Sequence, residues 1–248
     1  MSTASTPEPA QPALSEPARL INVFIAPSKT FTDLKRKPSW WVPWLVGAVL
    51  SMAFIALVNQ KIGMEQVMEN YLHGQPKTAE RIEKLPADQQ QRVRNQMMMS
   101  FKYGSYAAPV FSLLGLVIIS GVLMASFNFG AGAELKFGTS MAVVSYAFLP
   151  FALHALLAMG TLFAIDPEAF NLENPVATNL GLLVNQASSP GLYRLASALD
   201  VFSIWVIILM GIGFAAVSKL KRGTTMMTVA AWYLLWVLVR AGWAAAFS

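Results

Sequence analysis

Cysteine is absent from the 248 residues, which excludes disulfides, thiolate zinc sites, iron–sulfur clusters and cysteine nucleophiles. Histidine occurs only at His73 and His154. Charge is scarce as well: 12% of the residues are Asp, Glu, Lys or Arg, against roughly 25% in a soluble domain. No HExxH, GxSxG, GxGxxG or GxxxxGKS/T pattern occurs, so the motifs of metalloproteases, serine hydrolases, dinucleotide sites and P-loops are all missing. The nearest glycine loop, GAGAE at 130–134, follows an apolar run rather than a strand and reads as a turn at the end of a helix bundle. No catalytic set, cofactor site or metal site is expected.

What the chain does have is apolar length: 55% of it is hydrophobic. Residues 40–58 and 107–129 carry no charge, and 140–165 carries one histidine and one central proline. The block 195–247 is too long for one crossing and is cut by SKLKRG at 218–223. It divides into 195–217, which contains Asp200, and 225–247, which contains Arg240. Each segment is near the roughly 20 residues a bilayer requires of a helix. The expectation is an all-α polytopic membrane protein. A five-helix bundle fills residues 39–248, after a disordered tail (1–18) and an amphipathic cytoplasmic segment (19–38). The tail is rich in Pro, Ser and Ala and lacks the apolar core of a signal peptide.

The stretch LKRKPSWWVPWL at 34–45 sets Lys35, Arg36 and Lys37 against Trp40, Trp41 and Trp44. A basic-aromatic patch of this kind serves either nucleic acid or a membrane boundary. Leading straight into an uncharged span, it reads as an interfacial anchor, with the indoles at the water–lipid boundary and the cations on anionic head groups. Nucleic acid is not expected as a partner. In the segment before it, Ser28 is placed to cap a short helix and Pro38 to end it. Phe24, Phe31 and Leu34 give that helix an apolar face, which lies either on the cytoplasmic leaflet or against the protein itself.

Five crossings put the N-terminal cations Arg19, Lys29, Lys35, Arg36 and Lys37 on the same side as Lys219, Lys221 and Arg222. The positive-inside rule assigns that side to the cytoplasm. The loop 59–106, with seven bases and five acids, fits the rule poorly. It reads as amphipathic helices, with Met64, Val67, Met68 and Leu72 on one face, a break at Gly74, Gln75 and Pro76, a cap at Thr78 and a restart after Pro86. Met97, Met98 and Met99 invite a soft-metal reading, but adjacent residues point about 100° apart on a helix, so they are expected to fill space.

Ionisable and polar groups inside apolar spans are the local candidates for function. Counting outward from Lys221, Asp200 and Arg240 lie within about 3 Å of the same depth at 1.5 Å per residue, so the two are expected to pair. The alternative has each reaching the interface separately, Arg240 by snorkelling. His154 is either a proton relay or a histidine bonded to a neighbouring helix. Pro150 is expected to kink its span by freeing the carbonyl of Tyr146. Gly121 with Ala125, Gly211 with Ala215, and Gly242 with Ala246 are small-residue pairs suited to close helix contact.

Three segments taken in order carry a family resemblance. NVFIAPSKTFTDLKRKPSWWVPWLVG, VVSYAFLPFAL and LDVFSIWVIILMGIGFAAVSKLKRGTTMMTVAAWYLLWVL resemble the YIP family, the Ypt/Rab-interacting type of membrane protein, most of all its bacterial members. The resemblance covers roughly residues 20–245. It implies five spans, a cytoplasmic N-terminus and no catalytic role. Eukaryotic relatives associate with Rab-type GTPases through a segment bearing a D-L-Y-G-P-type motif. Here Asp33, Leu34, Pro38 and Trp40 match that motif loosely and its Tyr-Gly is missing, so GTPase binding does not transfer. Tyr146 and Pro150 match the family's pattern in the third span.

The function expected from all this is non-enzymatic. The chain would be an organising or adaptor protein of the bacterial cytoplasmic membrane, acting in trafficking or homeostasis through contacts with lipids, a protein partner or a second copy of itself. The alternative is a small-solute transporter or an accessory subunit of an exporter, with Asp200, Arg240, His154 and the broken third helix along its path.

Overall fold

The computed structural model describes residues 13–247, and every regular element among them is helical. In chain order these are α1 (Glu16–Ile25), α2 (Pro27–Arg36), α3 (Trp41–Lys61), α4 (Met64–His73), α5 (Pro76–Glu83) and α6 (Ala87–Tyr106). There follow α7 (Ala108–Ala131), α8 (Phe137–Ala147), α9 (Pro150–Thr161), α10 (Pro190–Ala198), α11 (Val201–Val217) and α12 (Arg222–Phe247).

Among the described residues, four helical stretches are long and apolar enough to cross a membrane: α3, α7, α8 with α9, and α12. The fifth, α11, is apolar but has 17 residues, about 25 Å at 1.5 Å per residue. The sequence expectation of one span over 195–217 is corrected here. The chain is extended at Asp200 (φ −108°, ψ 137°), so α10 and α11 are separate helices. The reason is local: an Asp carboxylate satisfies the free N–H groups of a helix start, and Asp200 Oδ2 accepts from the Ser203 N–H at 2.9 Å.

The third span breaks as expected at Pro150, between α8 and α9. Proline has no N–H to return to the Tyr146 carbonyl. That carbonyl accepts instead from the Leu149 N–H at 3.2 Å. Proline also sets the starts of α5 and α2. Pro76 begins α5 with Gln75 as its cap, so the cap expected at Thr78 lies inside the helix. Pro27 begins α2 with Ala26 as its cap, so Ser28 does not cap either.

The N-terminal expectation shifts too. Ser15 caps α1, its hydroxyl accepting from the Ala18 N–H, and residues 16–18, expected in the tail, are helical. The part of that expectation covering 1–12 lies outside the described residues. α1 and α2 fold back on each other at Ala26. Of the two readings of their apolar face, packing against the protein is the one observed. Val23, Phe31 and Leu34 are fully buried in a core shared with Val143, Tyr146, Leu209 and Phe214 of α8 and α11. Gly213 makes room for this, since a Cβ there would lie 2.6 Å from Val143 Cγ1 and 3.0 Å from the Phe31 ring. Of the three small-residue pairs, Gly211 sits at a close approach, its absent Cβ 2.4 Å from Met226 Cγ, whereas Gly121 and Gly242 face open space.

The bundle thus has two distinct ends. At one, α2 meets the turn between α11 and α12, where Arg222 Nη2 donates to Ser28 Oγ at 3.2 Å. At the other, the long loop 59–106 packs on the segment after α9. Asn70 Nδ2 donates to the carbonyls of Pro167 and Phe170, both at 2.8 Å, and Phe170 is buried with Val58 and Val67.

Candidate functional site: the N-terminal end of the bundle

α1 and α2 bring a charged network into the protein. Arg19 is 1% exposed and Asp33 7%. Arg19 Nε donates to Asp33 Oδ2 at 2.8 Å and Nη2 approaches the same oxygen at 2.7 Å. Nη1 donates to Glu16 Oε1 at 3.0 Å and Nη2 to the Lys37 carbonyl at 3.1 Å. The Tyr146 hydroxyl, from α8, donates to the other Glu16 oxygen, and the Leu14 N–H donates to Asp33 Oδ1 at 3.2 Å. Burial alone would lower the Arg19 pKa. The hydrogen bond and charge of Asp33, with Glu16 behind them, outweigh it and raise the value above that of a free guanidinium. Arg19 is therefore a permanent internal cation, satisfied on every side, that ties α1 to α2.

The effect on the surface is segregation of charge. At this end the described residues include nine Lys/Arg and three Asp/Glu. Arg19 holds Asp33 inside and engages the partly exposed Glu16, whereas Lys29, Lys35, Arg36, Lys37, Lys136, Lys219, Lys221 and Arg222 are exposed with Glu134 as the one fully exposed acid among the described residues of this end. At the far end, counting Arg240, nine bases stand against nine acids, and pairs such as Arg194–Glu173 (2.7 Å) and Arg94–Glu69 (2.6 Å) bring the signs together.

The expected anchor divides. Lys35, Arg36 and Lys37 are exposed, and Trp41 is 53% exposed at the start of α3. Trp40 and Trp44 pack toward the core. Ser145 Oγ donates to the Trp40 carbonyl at 2.6 Å, and Trp44 Nε1 donates to Ser112 Oγ at 3.2 Å and to the Pro109 carbonyl at 3.3 Å. The Trp44 indole thus joins α3 to α7, and the Trp40 carbonyl ties the start of α3 to α8.

Of the intramembrane candidates, His154 and Asp200 lie near each other, while Arg240 and Tyr146 lie apart from them. The expected pairing of Asp200 with Arg240 is corrected: no ion pair joins them. Asp200 Oδ1 accepts from the Thr178 hydroxyl at 2.6 Å and Oδ2 caps α11, while Arg240 is exposed beside the Trp236 ring on its own helix. Similar depth did not suffice, because Arg240 projects from the outward side of α12. His154 is half-buried with its ring edge-on to Phe202, centroids 5.2 Å apart. Tyr146 belongs to the opposite, N-terminal end. The methionine run also diverges, Met98 packing inward with the distal cluster and Met99 54% exposed. Among the described residues no group of His, Asp and Glu could hold a metal.

Sequence reasoning named Arg19 as a cytoplasmic cation and Asp33 in the loosely matched motif, but did not join them to each other or to Glu16. The signal was present: Arg19 precedes Val23 by one helical turn, and Asp33 lies between Phe31 and Leu34, so each charge sits on an otherwise apolar face.

A family model described as the Yip1 domain matches residues 21–243. The chain belongs to the Yip1 family. No curated protein and no solved structure matches. Together with the apolar helices, membership makes the chain a multi-pass membrane protein. The matched Yip1 domain begins inside α1 and runs into α12. Asp33 and Tyr146 lie within it, whereas Glu16 and Arg19 lie just before it. The buried network therefore joins the Yip1 domain to the turn of helix that precedes it.

Proposed function

We propose that this chain is a five-pass, non-enzymatic organising or adaptor protein of a cell membrane, with its N-terminal end in the cytoplasm. It engages head groups or a cytosolic partner through α2 and the turn between α11 and α12. The observation that carries this reading is the cationic surface at that end, built on helices locked into the bundle. Membership of the Yip1 family, which is compatible with a role in membrane trafficking, supports it. So does the charge difference between the two ends, since an excess of Lys and Arg marks the cytoplasmic side. The transport alternative has less support, because only Asp200 and His154 lie near each other, and Arg240 and Tyr146 are directed elsewhere.

The test is affinity co-purification from native membranes, comparing the natural chain with K219E/K221E and with the distal-end substitution K77E/K84E. All four lysines are exposed, so the fold is retained. A protein recovered with the natural chain and with K77E/K84E but lost from K219E/K221E supports the adaptor reading. Identical recovery from all three removes it.

A further inference from the structure

The exposed cations of the N-terminal end come from segments far apart in the chain, and one contact joins them. Arg222, at the start of α12, donates to Ser28 in the first turn of α2. Lys219 and Lys221 flank that contact from one side and Lys29 from the other, with Lys35 and Lys37 farther along α2. None of these five lysines forms an ion pair within the described residues. The acids that would have balanced them, the buried Asp33 and the partly exposed Glu16, are both engaged by Arg19.

Depth narrows the choice of occupant. α11 ends at Val217 and α12 begins at Arg222, so Lys219 and Lys221 sit directly on the ends of two apolar helices. Lys35 and Lys37 precede Trp41, where α3 begins, by six and four residues. An acidic protein arriving from solution would be met by cations projecting away from the bilayer. These are instead held where apolar helices give way to water, which is the level of lipid phosphates.

We propose that α2 and the α11–α12 turn together form a binding surface for anionic phospholipid head groups. The surface collects acidic lipids around this end of the protein and leaves the other end indifferent to them. It rests on the orientation proposed above and names the ligand of that same face.

The experiment uses the purified full chain in phosphatidylcholine vesicles containing either brominated phosphatidylglycerol or brominated phosphatidylcholine. Fluorescence quenching at Trp41 is obtained by difference from W41F, and at Trp243, near the far end of α12, by difference from W243F. At Trp41 the anionic lipid is expected to be favoured roughly fivefold, the factor corresponding to about 1 kcal/mol. Trp243 is expected to show no preference. The preference at Trp41 falls to near parity in K29Q/K35Q/K37Q/K219Q/K221Q and weakens with added salt. Equal quenching by the two lipids at Trp41, or a preference that survives the five substitutions, overturns the proposal. So does its abolition by polyglutamate at physiological ionic strength, which assigns the surface to an acidic protein segment. Because no partner is present in the vesicles, such a failure leaves the co-purification result standing on its own.

Discussion

Arg19 directs two nitrogens at a single oxygen of Asp33, at 2.8 and 2.7 Å, inside a protein where both residues are buried. The other four ion pairs among the described residues are each more exposed at one or both partners. A buried pair depends on complete partnering, because a lone charge left behind is expensive. The pair converts the N-terminal segment from an appendage into part of the bundle. Removing residues 1–38 would therefore take away Phe31 and Leu34 along with the basic cluster.

R19M strands the Asp33 carboxylate and is expected to cost about 3–5 kcal/mol, seen as a drop of roughly 10 °C in the detergent-solubilised protein. R19M/D33L removes both charges and recovers much of the loss. Thermal unfolding of the two variants side by side checks this. A double variant worse than R19M would mean that the pair contributes more than its own desolvation.

Asp200 works as a helix cap. D200A is expected to cost about 1–2 kcal/mol, D200N less because Asn caps nearly as well, and R240A less than about 0.5 kcal/mol. D200A and R240A combine additively, as sites without a shared contact do. Denaturation of the singles and the double gives the coupling, and a coupling energy above about 0.5 kcal/mol would restore the ion pair.

Tyr71 predicts a specific alkaline weakness. Burial, and after it the negative charge of Glu173, raise its phenol above the ordinary 10.0. The folded chain then holds the proton to higher pH than the unfolded chain does. The stabilisation is complete below pH 10.0 and is lost as pH rises through the raised value. Y71F has no such proton, so as pH rises above 10.0 it is expected to lose less stability than the natural chain. Parallel slopes in pH-dependent unfolding would refute it.

The absence of cysteine makes the natural chain its own background for labelling. T32C lies on the exposed side of α2 and Q89C on the exposed side of α6, at opposite ends of the bundle. An impermeant maleimide applied to intact cells is expected to modify Q89C alone, and both after permeabilisation. Modification of T32C in intact cells would invert the orientation.

Much of the architecture was legible because lipid leaves a long uncharged run few alternatives to a helix. Pro76, Pro86 and Pro150 also punctuated the chain where expected, since a missing N–H acts wherever it occurs. The failures concerned side chains that had to choose a partner. Asp200 and Arg240 were matched by depth, but depth says nothing about which way α12 turns Arg240. Ser28 and Thr78 had the chemistry of caps, yet Pro27 and Pro76 started those helices earlier. At the candidate site, Lys35, Arg36 and Lys37 were recognisable from their density, while the link between Glu16, Arg19 and Asp33 was hidden by ordinary spacing.

Hydropathy and the fixed φ of proline, both properties of short stretches, were enough to determine that this is a helical membrane protein and roughly where its apolar helices lie. Which charges face water was decided only by tertiary structure. In the chain Arg19 is one cation among five before the first span. Folding α1 onto α2 at Ala26 places Arg19 against Asp33, fourteen positions away, and packing both on α8 adds Tyr146 to Glu16. A buried guanidinium must find acids to be tolerated, and in taking these two it leaves the surface beside them cationic.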